Sequence, residues 1–396
     1  MIPDKKLFLF TAALITIGII CSYTLSPYAV VHYKYDDFHF VMRELITGFI
    51  SIFVMWILSR LNPDVWIHRF GIALFIIGML LMIAMPFMPL SLVSAVGGAK
   101  RWIQLPGFSL APVEFFKIGF VYFLAWSFSR KFVHHDGIQI MDEFKRFLPY
   151  ASMFFIAVFL IAFLQNDLGQ VVVLALTLAV MLLFAGSSGL FFSYLIAGST
   201  TLFMVVILTS ENRMKRVAAW WDGAQNTILT IFPESIAQHL RTPNAEEPYQ
   251  IGHSLNAIHN GGIFGTGLGG GTFKLGFLSE VHTDFVLAGI AEEFGFVGVA
   301  VVTMLFVSIL FRLFKISGRS ENNVHYLFSL GVGLLITFAF MINAYGICGM
   351  IPIKGIAVPF LSYGGSSMLA SSIAIGMVLM ISKKISDKPL NHIDGA

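Results

Sequence analysis

The chain has 396 residues, of which 57% are hydrophobic and only 12% charged, and its formal net charge is +3. Mean hydropathy is +0.81. Soluble domains carry about 25% charged residues, so most of this chain is solvated by lipid, and so small a positive balance argues against a nucleic-acid partner. A spanning helix needs roughly 20 apolar residues, and ten runs read as candidates: 7–27, 42–59, 69–88, 113–128, 148–164, 168–186, 190–209, 284–311, 326–347 and 361–382. The fourth is short and carries charge. The first follows "MIPDKK" and runs on without a small-residue cleavage site, so it reads as a retained helix. Cys21 and Cys348 lie far apart, form no CxxC or metal spacing, and say nothing firm about redox compartment.

Ten spans put both termini on one side. With the N-terminus inside, the inner segments hold 14 of the 25 basic residues. Five more (Arg213, Lys215, Arg216, Arg241 and Lys274) fall in a long loop at about 210–283 and are discounted, because orientation is read from short loops. Six remain outside: Lys34, Arg43, Lys100, Arg101, Lys117 and Lys354. The positive-inside bias therefore places both termini in the cytoplasm. The expected architecture is an all-α polytopic membrane protein, one transmembrane domain over 1–396, with a large extracytoplasmic loop between the seventh and eighth spans.

That orientation gathers the polar residues. The even-numbered spans start at the outer face, and nearly every interfacial charge sits at one of those starts: Arg43 and Glu44, Glu114 and Lys117, Asp167, Asp284. Lys354 lies in the outer loop before the last span. Charges at membrane depth read as functional or paired, and an anion is favoured at a helix N-terminus. Simpler roles compete. Asp284 or Thr283 could cap a helix, as could Asp167 in "QNDLGQ", and Glu114 lies three residues from Lys117, on one helical face, where the two would neutralise each other. All of these capping at once, on one side of the membrane, is harder to accept.

Within the long loop, "RMKRVAAWWDG" reads as an amphipathic interfacial helix with a Trp anchor. "YQIGHSLNAIHNGG" places Ile251, Leu255 and Ile258 on one face, closed by Asn260 and Gly261. "GGIFGTGLGGGTFKLG" formally matches G-x-G-x-x-G, but no strand precedes it and no βαβ unit follows, so no dinucleotide fold is expected. It reads as a flexible loop or as backbone that closes over a ligand. There is no P-loop, no S-x-x-K centre, no H-x-x-x-H spacing around His282, and no inverted repeat of a transporter.

Four separated stretches, "GAKRWIQLPGFSLAPVEFFK", "QNDLG", "FLSEVHTDFVLAGIAEEFGFVG" and "VPFLSYGGSSMLASSIAIG", together resemble the SEDS membrane proteins, whose main branches are FtsW and RodA. The resemblance covers nearly the whole chain. It implies ten spans and a peptidoglycan glycosyltransferase that polymerises lipid II with a class B penicillin-binding protein, in the bacterial cytoplasmic membrane. "IPIKGIAVPFLSYGG", with Lys354, is closer to the cell-division branch than to the elongation branch. By position, Asp284 matches the family's essential acid and proposed catalytic residue. Glu114 and Lys117 match its paired charges, Asp167 the acid of "Q-P-D-L-G", and Arg213 and Arg216 the basic residues opening the large loop. Ser279 and Asn166 stand where proline is usual, Val113 where serine is, and Gln170 where threonine is, which puts local loop geometry in doubt.

The resemblance fits an inverting transfer with Asp284 as the single base, kept ionised by its helix N-terminus. Arg213, Arg216, Lys117 and Lys354 are candidates to meet the departing pyrophosphate, and Glu280 to support Asp284 or ligate a cation. No cofactor motif is present, and a divalent cation stays open. Glu292 and Glu293 read as helix packing. The rival class is a lipid II flippase, which needs polar access from both leaflets; an elongation polymerase and a division scaffold are further alternatives.

Overall fold

The computed structural model describes residues 3–96, 99–105, 108–131, 140–242, 249–352 and 355–385. Fourteen α-helices lie among them: α1 (Lys5–Thr24), α2 (Pro27–Tyr33), α3 (His39–Arg60), α4 (Pro63–Ala84), α5 (Pro112–Lys131), α6 (Ile140–Val158), α7 (Leu168–Phe184), α8 (Gly189–Leu208), α9 (Glu211–Ile228), α10 (Glu234–Leu240), α11 (Tyr249–Gly261), α12 (Val286–Gly318), α13 (Asn323–Ile347) and α14 (Gly365–Ile385). Each of the ten apolar runs falls on one of them: α1, α3 to α8, and α12 to α14. Among the described residues eight helices are long and apolar enough to cross a membrane, α6 being counted with the π-helical turn Phe159–Leu164. The other two are α7, with 17 residues, and α5, which carries Glu114, Lys117, Arg130 and Lys131.

Local chemistry starts and stops these helices. Asp4 caps α1 by accepting from the Leu7 amide at 3.0 Å, and Asn62, followed by Pro63, opens α4 by accepting from Asp64. One buried apolar cluster runs from Leu7 to Ile381, with α13 and α14 most enclosed and α8 facing outward along nearly its whole length. Between membrane helices close packing must do what hydrophobicity does in water. The α4–α5 pair shows it: a Cβ on Gly71 would strike the Tyr122 ring, and one on Gly119 the backbone of Phe75.

Two features differ from the expectation of an all-helical chain with a free outer loop. Between α4 and α5 lies a small antiparallel sheet, β1 (Val93–Val96), β2 (Ala99–Leu105) and β3 (Phe108–Leu110), in that order. It is held over the helix ends by Val93 and Ile103 packing on Met85. Strands this short leave no readable alternation. The second feature is a break in α12 at Gly295, whose φ of 66° and ψ of −163° are not helical. The glycine-rich loop fills that break. The amides of Thr266 and Gly267 donate to the carbonyls of Glu292 and Glu293, and those of Phe296 and Val297 donate to the carbonyls of Gly262 and Ile263, all within 3.1 Å. Glu292 Oε1 accepts from the Thr272 and Phe273 amides and from Asn260, and Glu293 pairs with buried Lys274 at 2.5 Å. The loop is therefore not free. It is the counterpart that satisfies a broken membrane helix.

α11 forms where expected but turns differently. Its buried positions are Ile251, Ser254, Ala257 and Gly261, while Leu255 faces outward. The small residues face α12 because the contact is close: a Cβ on Gly261 would overlap the Ala291 carbonyl.

Candidate active site

Three helices begin at one open cavity of ≈ 1420 Å³ of empty space, mouth included. α5 contributes Val113 and Glu114, α7 contributes Leu168 and Gln170 behind Asp167, and α14 contributes Gly365, Ser366 and Ser367. The π-helical turn ends α6 and delivers the Gln165–Asn166–Asp167 turn to the same place. Asn166 sits at φ 51°, a conformation proline cannot reach, so this turn is one that "Q-P-D" could not make. Asp167 does cap α7, accepting from the Gln170 amide at 3.3 Å. It nonetheless lines the cavity, and burial raises its carboxyl above the ordinary range, with Arg101 opposing.

Asp284 enters from the turn ahead of α12. It is not the cap of that helix; Phe285 holds that position, without a side-chain bond. The expectation that a helix N-terminus keeps Asp284 ionised is therefore corrected. Burial, followed by the charges of Glu280 and Asp167, pushes its carboxyl up to about 7, while Arg101 pulls it down. Among the described residues nothing donates to that carboxylate.

Its position is fixed through its backbone. Asn343, buried on α13, donates from Nδ2 both to the Asp284 carbonyl at 2.7 Å and to the Ile356 carbonyl at 2.8 Å. Ser362 Oγ donates to the Thr283 carbonyl at 2.5 Å and accepts from the Val358 amide. Gly355 lies against the carboxylate so closely that a Cβ there would collide with Oδ2. Glu280 lines the cavity and accepts from the Thr283 hydroxyl at 2.9 Å.

Cations approach from two sides. Arg101 comes from β2, its Nε and Nη2 donating to the carbonyls of Gln165 at 2.7 Å and Asn166 at 2.8 Å, which leaves further guanidinium donors for the cavity. The sequence offers only two signals for Arg101, a place among the basic residues outside and in "KRW" of the first recognisable stretch. Arg216, exposed on α9, lines the mouth. Arg213 is not brought to the cavity. It is buried, with Nη1 on the Val206 carbonyl at 2.9 Å and Nη2 on the Ala162 carbonyl at 2.7 Å, so its fork tightens the end of α8 onto the π-helical turn. Lys354 lies outside the described residues.

Glu114 and Lys117 meet at 2.9 Å, each side chain 12% exposed. Gln170 completes the ring, accepting from Lys117 Nζ at 2.7 Å and donating to Glu114 at 3.0 Å. The glutamine standing where the family pattern has threonine thus bridges both charges. These three residues also line a smaller pocket of ≈ 470 Å³ that continues between α13 and α14. Among the described residues no three His, Cys, Asp or Glu side chains come together as a metal-ligand set.

A family model described as "Cell cycle protein" (FTSW_RODA_SPOVE) matches residues 5–387. The chain belongs to this family. Among its relatives, the "Probable peptidoglycan glycosyltransferase FtsW" of Helicobacter pylori (strain ATCC 700392 / 26695) is 49% identical over 97% of this chain and 99% of that protein. The protein so named from Haemophilus influenzae is 33% identical over 96% and 90%. Among solved structures, Thermus thermophilus rod shape determining protein RodA superposes with a TM-score of 0.66 at 20% identity, over 98% of this chain and 99% of that one. A chain from a structure titled "Structural coordination of polymerization and crosslinking by a peptidoglycan synthase complex" superposes with a TM-score of 0.69 at 23% identity. The chain thus has a predominantly helical, multi-pass membrane fold that it shares with these structures over nearly its whole length.

Proposed function

We propose that this chain is a peptidoglycan glycosyltransferase of the FtsW type that polymerises lipid II at the outer face of the bacterial cytoplasmic membrane during cell division. The enzymatic class rests on the FtsW relatives. The site rests on one observation: an acid, its carboxyl pushed up to about 7 by burial and its acidic neighbours, shares a cavity with two arginines and the N-terminus of α14.

The reaction joins an acceptor sugar hydroxyl to the anomeric carbon of a donor disaccharide. The new bond forms as the carbon–oxygen bond to the lipid pyrophosphate breaks. The hydroxyl proton passes to the Asp284 carboxylate, and the electron pair leaves with the pyrophosphate. A general base is worth about 10²- to 10⁴-fold and works best when its own affinity for the proton matches the working pH. Asp284 meets that condition because burial and Glu280 hold it near neutrality. The charge arriving on the pyrophosphate is met by Arg101 and Arg216 and by the free amides that open α14. Glu280 supports Asp284 through the shared turn. Glu114 and Asp167 form the floor, Glu114 paired with Lys117 from the smaller pocket behind it, so that paired charges and a capped helix end hold the substrate's polar head at membrane depth. The donor's own phosphate bond supplies the free energy.

The ten helices that carry the apolar runs are the spans in this reading, with the termini cytoplasmic and the loop over about 210–283 outside. The natural partner is a class B penicillin-binding protein, which would cross-link the strands. The direct test is incubation of the purified chain with lipid II, with and without such a transpeptidase, followed by separation of glycan products. Glycan strands are expected; transfer of lipid II across vesicles with no polymer would favour a flippase instead.

A further inference from the structure

The end of α14 away from the cavity lies about 27 Å along its axis from Gly365, at a rise of about 1.5 Å per residue. There the N-terminus of α1, the C-terminus of α3 and the C-terminus of α14 come together: the Asp4 amide donates to Ser382 Oγ at 3.0 Å, and Lys383 Nζ donates to the Arg60 carbonyl at 2.9 Å. Between α1 and α3 opens a groove of ≈ 910 Å³ of empty space, mouth included, lined by Pro3, Lys5, Phe8, Leu9, Trp56, Ser59 and Arg60.

Among the described residues the charge in this corner does not balance. Asp4 accepts from Arg312 Nε at 2.8 Å and from the Leu7 amide, and Asp64 pairs with Lys384. Both nearby acids are therefore committed to other cations. Among the described residues no carboxylate stands within ion-pair distance of Lys5, Arg60 or Lys383. Arg60 instead lies over the Trp56 ring at 4.7 Å. The walls below are apolar and open sideways, with Leu9 62% and Trp56 44% exposed. Two lining cations without a carboxylate partner among the described residues, Lys5 and Arg60, with Lys383 beside them, above two apolar walls match one kind of molecule, an amphiphile with an anionic head.

We infer that this groove binds an anionic phospholipid, its phosphate held by Lys5 and Arg60 and its first methylenes lying along Phe8, Leu9 and Trp56. The lipid comes from the leaflet opposite the catalytic cavity, the cytoplasmic one in the orientation proposed above. The site is independent of the glycosyltransferase reading. A bound lipid would join α1 to α3 and, through Lys383, to the end of α14, whose other end lines the cavity.

The test is native mass spectrometry of the purified full chain, titrated in detergent with phosphatidylglycerol, phosphatidylcholine or inorganic phosphate. A cation near an anionic lipid contributes about fivefold in affinity, so Lys5→Gln with Arg60→Gln should weaken phosphatidylglycerol binding about 25-fold. Lys5→Arg with Arg60→Lys should restore most of it. Both changes fall on exposed side chains, and an unaltered melting temperature confirms that the fold is intact. Lys145→Gln with Arg146→Gln, on α6, should leave binding unaltered. Four results would each overturn the inference: undiminished binding in the Lys5/Arg60 variant, an equal loss in the α6 variant, equal binding of phosphatidylcholine, or displacement by inorganic phosphate at the lipid's own concentration.

Discussion

If Asp284 takes the acceptor's proton, its titration governs the pH dependence of polymerisation. Burial first, then Glu280 and Asp167, raise the carboxyl to about 7, so the active, ionised form is lost as pH falls through neutrality. With a value of about 7, roughly one carboxyl in ten is ionised at pH 6 and nine in ten at pH 8, so turnover should rise about tenfold between them. The same shift means that the folded state holds this proton from about pH 4 to 7 while the unfolded chain does not, so stability declines as pH rises across that window. Two substitutions should move the limb in opposite directions. Glu280→Gln removes a negative neighbour and should shift it to lower pH; Arg101→Gln removes the opposing positive charge and should shift it higher. The assay is the initial rate of lipid II polymerisation by the purified chain from pH 5.5 to 9, each variant checked for folding at both extremes. A flat profile, or shifts of the same sign in both variants, would refute the argument.

Other substitutions test the geometry around that acid. Gly355→Ala drives a methyl group into Asp284 Oδ2 and should cut turnover about 10²-fold, the scale of a misplaced reacting group, with the melting temperature nearly unaltered; full activity would mean the carboxylate has room to spare. Glu114→Ala leaves Lys117 and Gln170 without their partner. Breaking a buried pair from one side costs about 3–5 kcal/mol, and somewhat less here because each side chain is 12% exposed. Glu114→Ala should thus be more destabilising than Glu114→Ala with Lys117→Ala, and strictly additive losses by thermal unfolding would contradict the pair. For topology, single cysteines replace exposed Lys215 and exposed Lys145 in a Cys21→Ser, Cys348→Ser background. An impermeant thiol reagent should label position 215 in intact spheroplasts and position 145 only after lysis; the reverse pattern would move the cavity to the cytoplasmic side.

The helices were legible because hydropathy over about 20 residues is a strong signal, and each apolar run does lie on a helix. The gathering of Glu114, Asp167 and Asp284 could also be read, since each lies at a helix start and the expected alternation of spans brings every second start to one side. Chemistry at longer range could not. Arg213 and Arg216 look alike in sequence, three residues apart on one helix, yet one guanidinium is buried on the carbonyls of Ala162 and Val206 while the other reaches the cavity mouth. The helix alone does not distinguish them, because one partner of the first lies 51 residues away and the other seven residues back, across the end of α8. Arg101 was missed for a related reason: its place depends on a sheet too short to announce itself. The glycine-rich loop needed knowledge of the break at Gly295, whose exposed amides and carbonyls are what the loop exists to satisfy. The protonation of Asp284 is not legible locally, because the helix N-terminus that would keep it ionised does not reach a residue just outside the helix.

The central claim, that Asp284 performs the transfer, is tested most directly by Asp284→Asn. The amide keeps the volume and cannot take a proton, while the backbone bond from Asn343 to the residue's carbonyl stays in place. In the purified protein, with lipid II and a class B penicillin-binding protein, the account predicts an intact fold, retained lipid II binding and glycan synthesis lowered by at least about 10²-fold. Glycan strands made by the variant at close to the unaltered rate would contradict it.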